Sequence, residues 1–290
     1  MMAAAKACPA LLNYVYFDHW KSKVEKIDRH AGGAFARGGE VSRRAYYELG
    51  LSAENSIEAG VKALLEFYGD VECPPTNPKT PDRMAGALRF YFERYPLNHL
   101  VGYPILMPGG KRAIEVSFVV PLAINHPVTG QPLLYCGRMD TILQTLGAVF
   151  GEDDKTTKSL GRTWPDQWSL RAQLIGYKWG ARSYGIDLAG MVVRGVSILK
   201  TQYDTVEAVH YYPDWLVDQW ESELLEWLTD VIGWWGRKSF RHNMDSSCSS
   251  YGGCGFLTVC TRPPDTRSKW LSTFFERRHW NPITREETPL

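Results

Sequence analysis

The 290-residue sequence predicts an α/β protein, and three observations carry that prediction. Helical periodicity fills most of the first hundred residues. β-rich alternation then runs from about Ala113 to Thr157, and a helix, two strands and a further helix follow to about Trp235. At 44% hydrophobic content the chain can bury a real core, which excludes fibrous and disordered classes. A net charge of +1 announces no polyanion partner, so any nucleic-acid contact must come from local patches. No apolar run approaches a membrane span, and the Ala-rich start lacks a signal peptide's hydrophobic centre, so a soluble cytoplasmic protein is expected.

From Lys6 to Tyr47 the pattern is mainly helical, with a Gly-rich break over His30–Gly39 and a helix from Gly39 to Leu49 that carries Glu40, Arg43 and Arg44. Ser52 is placed to cap a helix through Tyr68, with Asn55 in its first turn and Gly69 ending it. A Pro-rich loop, Cys73–Pro81, precedes an amphipathic helix over Asp82–Tyr95 with Met84, Leu88, Tyr91 and Phe92 on one side. A strand opens at Ala113, and NHPVTGQP is turn chemistry leading into a hairpin. Glu115 is an isolated acid on that strand, either an edge position or a group beside a metal. Beyond the hairpin, a helix is expected over Gln167–Tyr184, strands over MVVRGVSILKTQ and TVEAVHYY, and a helix over Pro213–Trp235 with Leu216, Trp220, Leu224, Trp227 and Val231 buried.

The hairpin, Leu133–Thr157, concentrates the chemistry. If Leu146-Gly147 is a two-residue turn, Asp140 and Asp153 lie directly opposite, with Cβ atoms roughly 4.5–5.5 Å apart, and Lys155 shares the face of Asp153. Opposed like charges are destabilising, so a fold that pairs them should neutralise them, and a divalent cation on hard oxygen ligands does so most simply. Magnesium or manganese there would activate water, with Lys155 orienting or deprotonating it. A surface hairpin with solvated acids is the competing reading. Gln173 and Tyr177, four apart, stack on one face of the following helix.

Six cysteines are unevenly spread, and Cys248, Cys254 and Cys260 fall in one Gly/Ser-rich loop. That is no secreted disulfide framework. Three close cysteines suggest a metal site short of one ligand, with zinc, an iron–sulfur cluster and plain free cysteines as the alternatives.

In this order, Glu40, Gly137-Arg138-Met139-Asp140, Asp153-Asp154-Lys155-Thr156 and Gln173-x-x-x-Tyr177 resemble the PD-(D/E)XK nuclease superfamily, and within it the RecB-like exonucleases of phage and CRISPR-associated type. The resemblance covers nearly the whole chain. It implies a restriction-endonuclease-like core, a central mixed sheet flanked by helices, in one nuclease domain over 1–290. Residues 1–110 would form its helical N-terminal part, 111–212 the catalytic sheet and 213–290 the C-terminal helix and a cysteine-ligated region. It implies Asp140, Asp153, Lys155, Gln173 and Tyr177 as catalytic residues, and Glu40, Asp140 and Asp153 as ligands of Mg2+ or Mn2+. Glu40 stands where such nucleases commonly carry histidine, with His30 and Glu58 as substitutes. It also implies that Cys8, followed by Pro9, joins Cys248, Cys254 and Cys260 around a 4Fe-4S cluster, with Zn2+ as the alternative; five residues separate Cys248 from Cys254 where better-known members have two.

The implied activity is metal-assisted hydrolysis of DNA phosphodiesters, with an exonuclease's role in phage recombination, replication or DNA processing. Arg138 would contact substrate, and Arg262, Arg267, Lys269, Arg277 and Arg278 are either phosphate contacts or a solvated basic tail. Recombination or replication proteins are possible partners, and assembly into an oligomer is open. Two other readings stand beside this one: a catalytically inactive DNA-binding or assembly protein that keeps the nuclease fold, and a zinc-stabilised interaction module in which the acids are incidental.

Overall fold

In the computed structural model the chain begins with α1 (Met2–Ala7), α2 (Pro9–Leu12), a π-helical turn at Asn13–Phe17 and β1 (Trp20–Ser22). Helices α3 (Ile27–Tyr47), α4 (Ala53–Tyr68) and α5 (Pro81–Arg94) follow, then β2 (Tyr103–Pro104), β3 (Ile114–Asn125), β4 (Pro132–Gln144) and β5 (Val149–Thr157). Next come α6 (Ala172–Ser183), β6 (Gly190–Ile198), β7 (Tyr203–Tyr211) and α7 (Asp214–Arg237). Short helices α8 (Ser246–Ser249), α9 (Leu257–Cys260) and α10 (Arg267–Phe274) lead to β8 (Phe275–Asn281) and β9 (Glu286–Pro289). The structure describes every residue except 25, 100, 101, 146, 245, 250–252 and 285.

The fold is mixed α/β. Its main sheet runs β2-β4-β5-β6-β7, with β3 paired to β4. β4 and β5 are antiparallel, β5 and β6 parallel, and β6 and β7 antiparallel, so the sheet is mixed. A parallel pair needs a crossover, and α6 supplies it between β5 and β6. Contacts divide the chain into a larger unit, 26–120 with 135–221, and a smaller one, 1–25 with 121–134 and 222–290.

In the larger unit the core is built by α3, α4 and α5 against β6, with Phe35, Leu64, Met84, Leu88, Tyr91 and Val196 at its centre. Helix α3 departs from the sequence expectation. The glycines that suggest a break at His30–Gly39 lie inside one continuous helix of 21 residues. Their use is close approach: a Cβ on Gly38 would meet Leu88 at 2.7 Å, and one on Gly60 of α4 would meet the Gly38 carbonyl at 2.5 Å. Tertiary packing overrides glycine's helix penalty here. Ser52 caps α4 by accepting the Asn55 N–H at 3.2 Å, and Gly69 ends that helix with φ 55°. Helix α6 begins later than expected, because Asp166–Trp168 forms a separate 3₁₀ turn whose Trp168 is buried. On α7 the buried positions are Val217, Trp220, Leu224, Leu228, Val231 and Trp234, while Leu216 and Trp227 are half-buried.

In the smaller unit β1, β8 and β9 form a second, antiparallel sheet. Ala5 and Leu12 pack with Val231 and Trp234, and Tyr14 stacks on Phe256 at 5.1 Å, so residues from both ends of the chain share one core. Among the described residues no helix is long and apolar enough to cross a membrane.

Candidate functional site

The site is built on β4 and β5. Their register pairs Gln144 with Val149 and Thr141 with Glu152. That register is the one a two-residue turn at Leu146-Gly147 predicts. The pairing stops one step short of Asp140 and Asp153, whose carboxyls still lie close enough for the charge of Asp153 to act on Asp140. Gly147 takes φ 109°, as such a turn requires, and the Thr145 N–H closes it on the Ala148 carbonyl at 2.9 Å. Leu146 lies outside the described residues.

The glycine of Gly137-x-x-Asp140 has a packing reason. Phe118 of β3 occupies the space that a side chain at Gly137 would need, and also the space beside Gly180 of α6. These two glycines let α6 lie close to the sheet, where Tyr177 meets Phe118 edge to face at 6.1 Å. Gln173 Nε2 donates to the Tyr177 hydroxyl at 2.7 Å, as their helical spacing predicts.

The sequence Glu152-Asp153-Asp154-Lys155 divides by the period of a strand. Asp153 and Lys155 share one face, and Lys155 Nζ closes on Asp153 Oδ2 as an ion pair. Asp153 is 2% exposed, and its Oδ2 receives no properly directed hydrogen bond despite the nearby ammonium. Asp140 keeps part of its surface open yet is densely surrounded, and its Oδ2 accepts the Asp154 N–H at 2.7 Å.

The electrostatics follow from this crowding. Burial, then the charges of Asp153 and Asp154, push the Asp140 carboxyl well above its ordinary range, against the pull of Lys155. Burial also raises Asp153, with Lys155 opposing. Tyr177 is raised by burial and by the charges of Asp153 and Asp140, so it stays a protonated phenol above the two acids. Arg171, which leads into α6 and stands 5.8 Å from the Trp168 ring, also acts on Asp153. The sequence shows no signal that singles it out.

The opposite face of β5 holds a second group that sequence reasoning misses. Arg43 of α3 contacts Glu152 Oε1 at 2.5 Å and Asp154 Oδ2 at 2.6 Å, and Tyr91 of α5 donates to Asp154 Oδ1 at 2.9 Å. Arg194 of β6 reaches Glu152 Oε2 at 3.1 Å and Glu207 at 2.8 Å. Burial opposes Arg43's charge, but Asp154 and Glu152 outweigh it and hold the guanidinium well above its ordinary value.

Other expected residues are paired with different partners. Glu40 is held by Arg37 at 2.8 Å and Arg44 at 3.0 Å, and its charge acts on Glu115. Glu115 sits in β3 with φ 55°, a left-handed conformation unusual for a strand, and pairs with Arg138 at 2.7 Å. That pairing occupies the arginine expected to contact substrate. Of the substitutes for Glu40, His30 Nε2 lies 2.9 Å from the Tyr68 carbonyl, and Glu58 forms a two-point pair with Arg89 at 2.6 and 2.7 Å. In the basic C-terminal segment Arg262 stacks over Trp270 at 4.0 Å, Arg267 donates to the Cys260 carbonyl, Arg277 to the Asp18 carbonyl, and Arg278 pairs with Glu276.

In the smaller unit Cys8, Cys248, Cys254 and Cys260 line one cavity of about 270 Å³, with His242 and Asn243 on its wall. Cys248 and Cys260 sit on the short helices α8 and α9, where a plain loop was expected. The Asn243 N–H points at Cys8 Sγ at 3.3 Å, and none of the four is in a disulfide. Burial raises the Cys260 thiol, and Cys254, Cys8 and Cys248 add to the shift. Among the described residues, no three His, Cys, Asp or Glu side chains are already drawn to metal-ligand spacing.

No family model and no curated protein matches the chain. A solved structure described as the crystal structure of SSO0001 is similar over 78% of this chain and 84% of its own, at 15% identity and a TM-score of 0.34. That level of likeness assigns no function.

Proposed function

We propose that the chain is a Mg2+- or Mn2+-dependent deoxyribonuclease of the PD-(D/E)XK type, with a restriction-endonuclease-like core and RecB-like exonuclease activity. The observation that carries the reading is the approach of Asp140 on β4 to Asp153 and Asp154 on β5, where Asp140 Oδ2 accepts the Asp154 N–H and Lys155 pairs with Asp153. Two carboxylates, Asp153 buried and Asp140 partly open, face one ammonium there, and Asp153 Oδ2 has no directed hydrogen bond, so the donor set fits a divalent cation. Asp140 and Asp153 would hold it. Glu40 would have to give up Arg37 or Arg44 to join them.

A cation bound there supplies Lewis acidity and a water of lowered pKa. The chain's own residues do the rest. Lys155, held as an ammonium by Asp153, would orient the nucleophile and offset negative charge on the phosphate. Gln173 donates to the Tyr177 hydroxyl, which leaves that hydroxyl's own proton for Asp153 or for a phosphate oxygen. Arg171 places positive charge beside the acids, where a DNA phosphate would come.

For the cysteine cavity we propose a 4Fe-4S cluster on Cys8, Cys248, Cys254 and Cys260. Four unpaired thiols on one cavity and an N–H aimed at sulfur support it, and His242 on the wall keeps Zn2+ as the alternative. A role in phage recombination, replication or DNA processing, in a host's cytoplasm, belongs to the same proposal.

End-labelled single- and double-stranded DNA incubated with Mn2+ tests the activity. Wild-type protein should degrade it, and Asp153→Ala or Lys155→Ala should lower the rate at least about a hundredfold, since each removes a group from the reacting centre. Activity that survives both substitutions would reject the site.

A further inference from the structure

The hydrogen-bonded register between β4 and β5 ends at the pair Thr141 and Glu152. Beyond it, the amide of Asp154 donates to a side chain, Asp140 Oδ2, at 2.7 Å. This contact ties one oxygen of Asp140 and leaves the other for a ligand. Its geometry depends on where the backbone of Asp154 lies.

On its β6 side that backbone is held by pairing, Asp153 with Val193 and Asp154 with Arg194. On the face of β5 away from Lys155, the Asp154 carboxylate is gripped from two helices. Arg43 Nη2 of α3 reaches Oδ2 at 2.6 Å, and the Tyr91 hydroxyl of α5 reaches Oδ1 at 2.9 Å. Arg43 also donates to Tyr91 at 2.9 Å, so the two grips brace each other. Their side chains are at most 8% exposed, and water cannot readily replace them.

We infer that Asp154 is a positioning residue: Arg43 and Tyr91 clamp its carboxylate, and its backbone N–H thereby fixes the orientation in which Asp140 meets a divalent cation. The inference rests on the reading of Asp140 as a cation ligand. Groups that orient a ligand from behind commonly govern metal affinity by ten- to a hundredfold. A residue that merely stabilised the fold would change melting and leave the affinity of the folded protein unaltered.

Mn2+ alone is the probe, followed through the paramagnetic resonance of the free ion during titration of the full-length chain. Asp154→Ala leaves Arg43 paired with Glu152, and Tyr91→Phe removes one hydroxyl. Asp154→Ala should weaken Mn2+ binding about ten- to a hundredfold, and Tyr91→Phe by several-fold in protein that still folds. Wild-type Mn2+ affinity in folded Tyr91→Phe overturns the inference, and so does wild-type affinity in folded Asp154→Ala. Asp140→Ala is the control: if it binds Mn2+ as wild type does, the cation site itself is wrong, an outcome distinct from failure of the clamp alone.

Discussion

Asp140 is a carboxyl placed where its own charge is disfavoured. Burial first, then Asp153 and Asp154, raise its folded pKa above the ordinary value near 3.8. The sign of the consequence is set by linkage: a group that holds its proton more tightly when folded stabilises the folded state fully below its unfolded pKa. That contribution is lost as pH rises through the folded value. In metal-free buffer, the contribution of Asp140 to stability should therefore fall from about pH 4 upward through the raised pKa. Asp140→Asn should flatten that fall, because an asparagine oxygen still accepts the Asp154 N–H and carries no charge. Urea denaturation across the pH range measures both. Mn2+ should restore wild-type stability at neutral pH and leave Asp140→Asn little changed, since binding to the folded state alone adds stability. A wild-type stability that rises relative to that of Asp140→Asn between about pH 4 and 8 without metal would contradict this account.

At the scale of elements, β5 is where three helices and the sheet meet, because one run of acids points both ways. Glu152 and Asp154 turn toward α3 and α5, while Asp153 turns toward α6. Arg43→Met should cost about 3–5 kcal/mol in chemical denaturation, because it strands Asp154 in a buried position without its cation. Adding Asp154→Ala should recover part of the loss, since the stranded charge is then gone. A loss below about 1 kcal/mol for Arg43→Met would show the network to be dispensable. The strand run and the register of β4 on β5 were legible in the sequence, because period two and a short turn determine register. The partners were not. Nothing in the spacing of Arg43, Tyr91 and Glu152 signals that residues 48 and 61 positions apart will share one buried contact. The glycines of α3 misled for a related reason. Their propensity marks a break, but their use, close approach to α4, exists only once both helices are in place.

At the scale of the molecule, the cysteines show what a linear reading can and cannot reach. Cys8 is more than two hundred residues from the other three, and only a resemblance, not a spacing, suggested joining them. The structure places all four on one cavity of the smaller unit through packing that no cysteine dictates: Leu12 with Trp234, and Tyr14 on Phe256. A metal group bound there would close a loop of almost the full chain, so its binding free energy would appear as folding free energy. Protein purified without oxygen should contain iron and acid-labile sulfide and show the visible absorbance of an iron–sulfur chromophore. Each of Cys8→Ala, Cys248→Ala, Cys254→Ala and Cys260→Ala should lose that absorbance, because each removes a ligand. Loss of the metal should also make residues 1–24 and 253–281 more susceptible to limited proteolysis, while the α3–α5 core, which contains none of the ligands, resists as before. Stoichiometric zinc in a colourless protein would replace the cluster with a zinc site on the same four residues. Neither metal, with unchanged proteolysis in all four variants, would reduce the cavity to ordinary packing of free thiols.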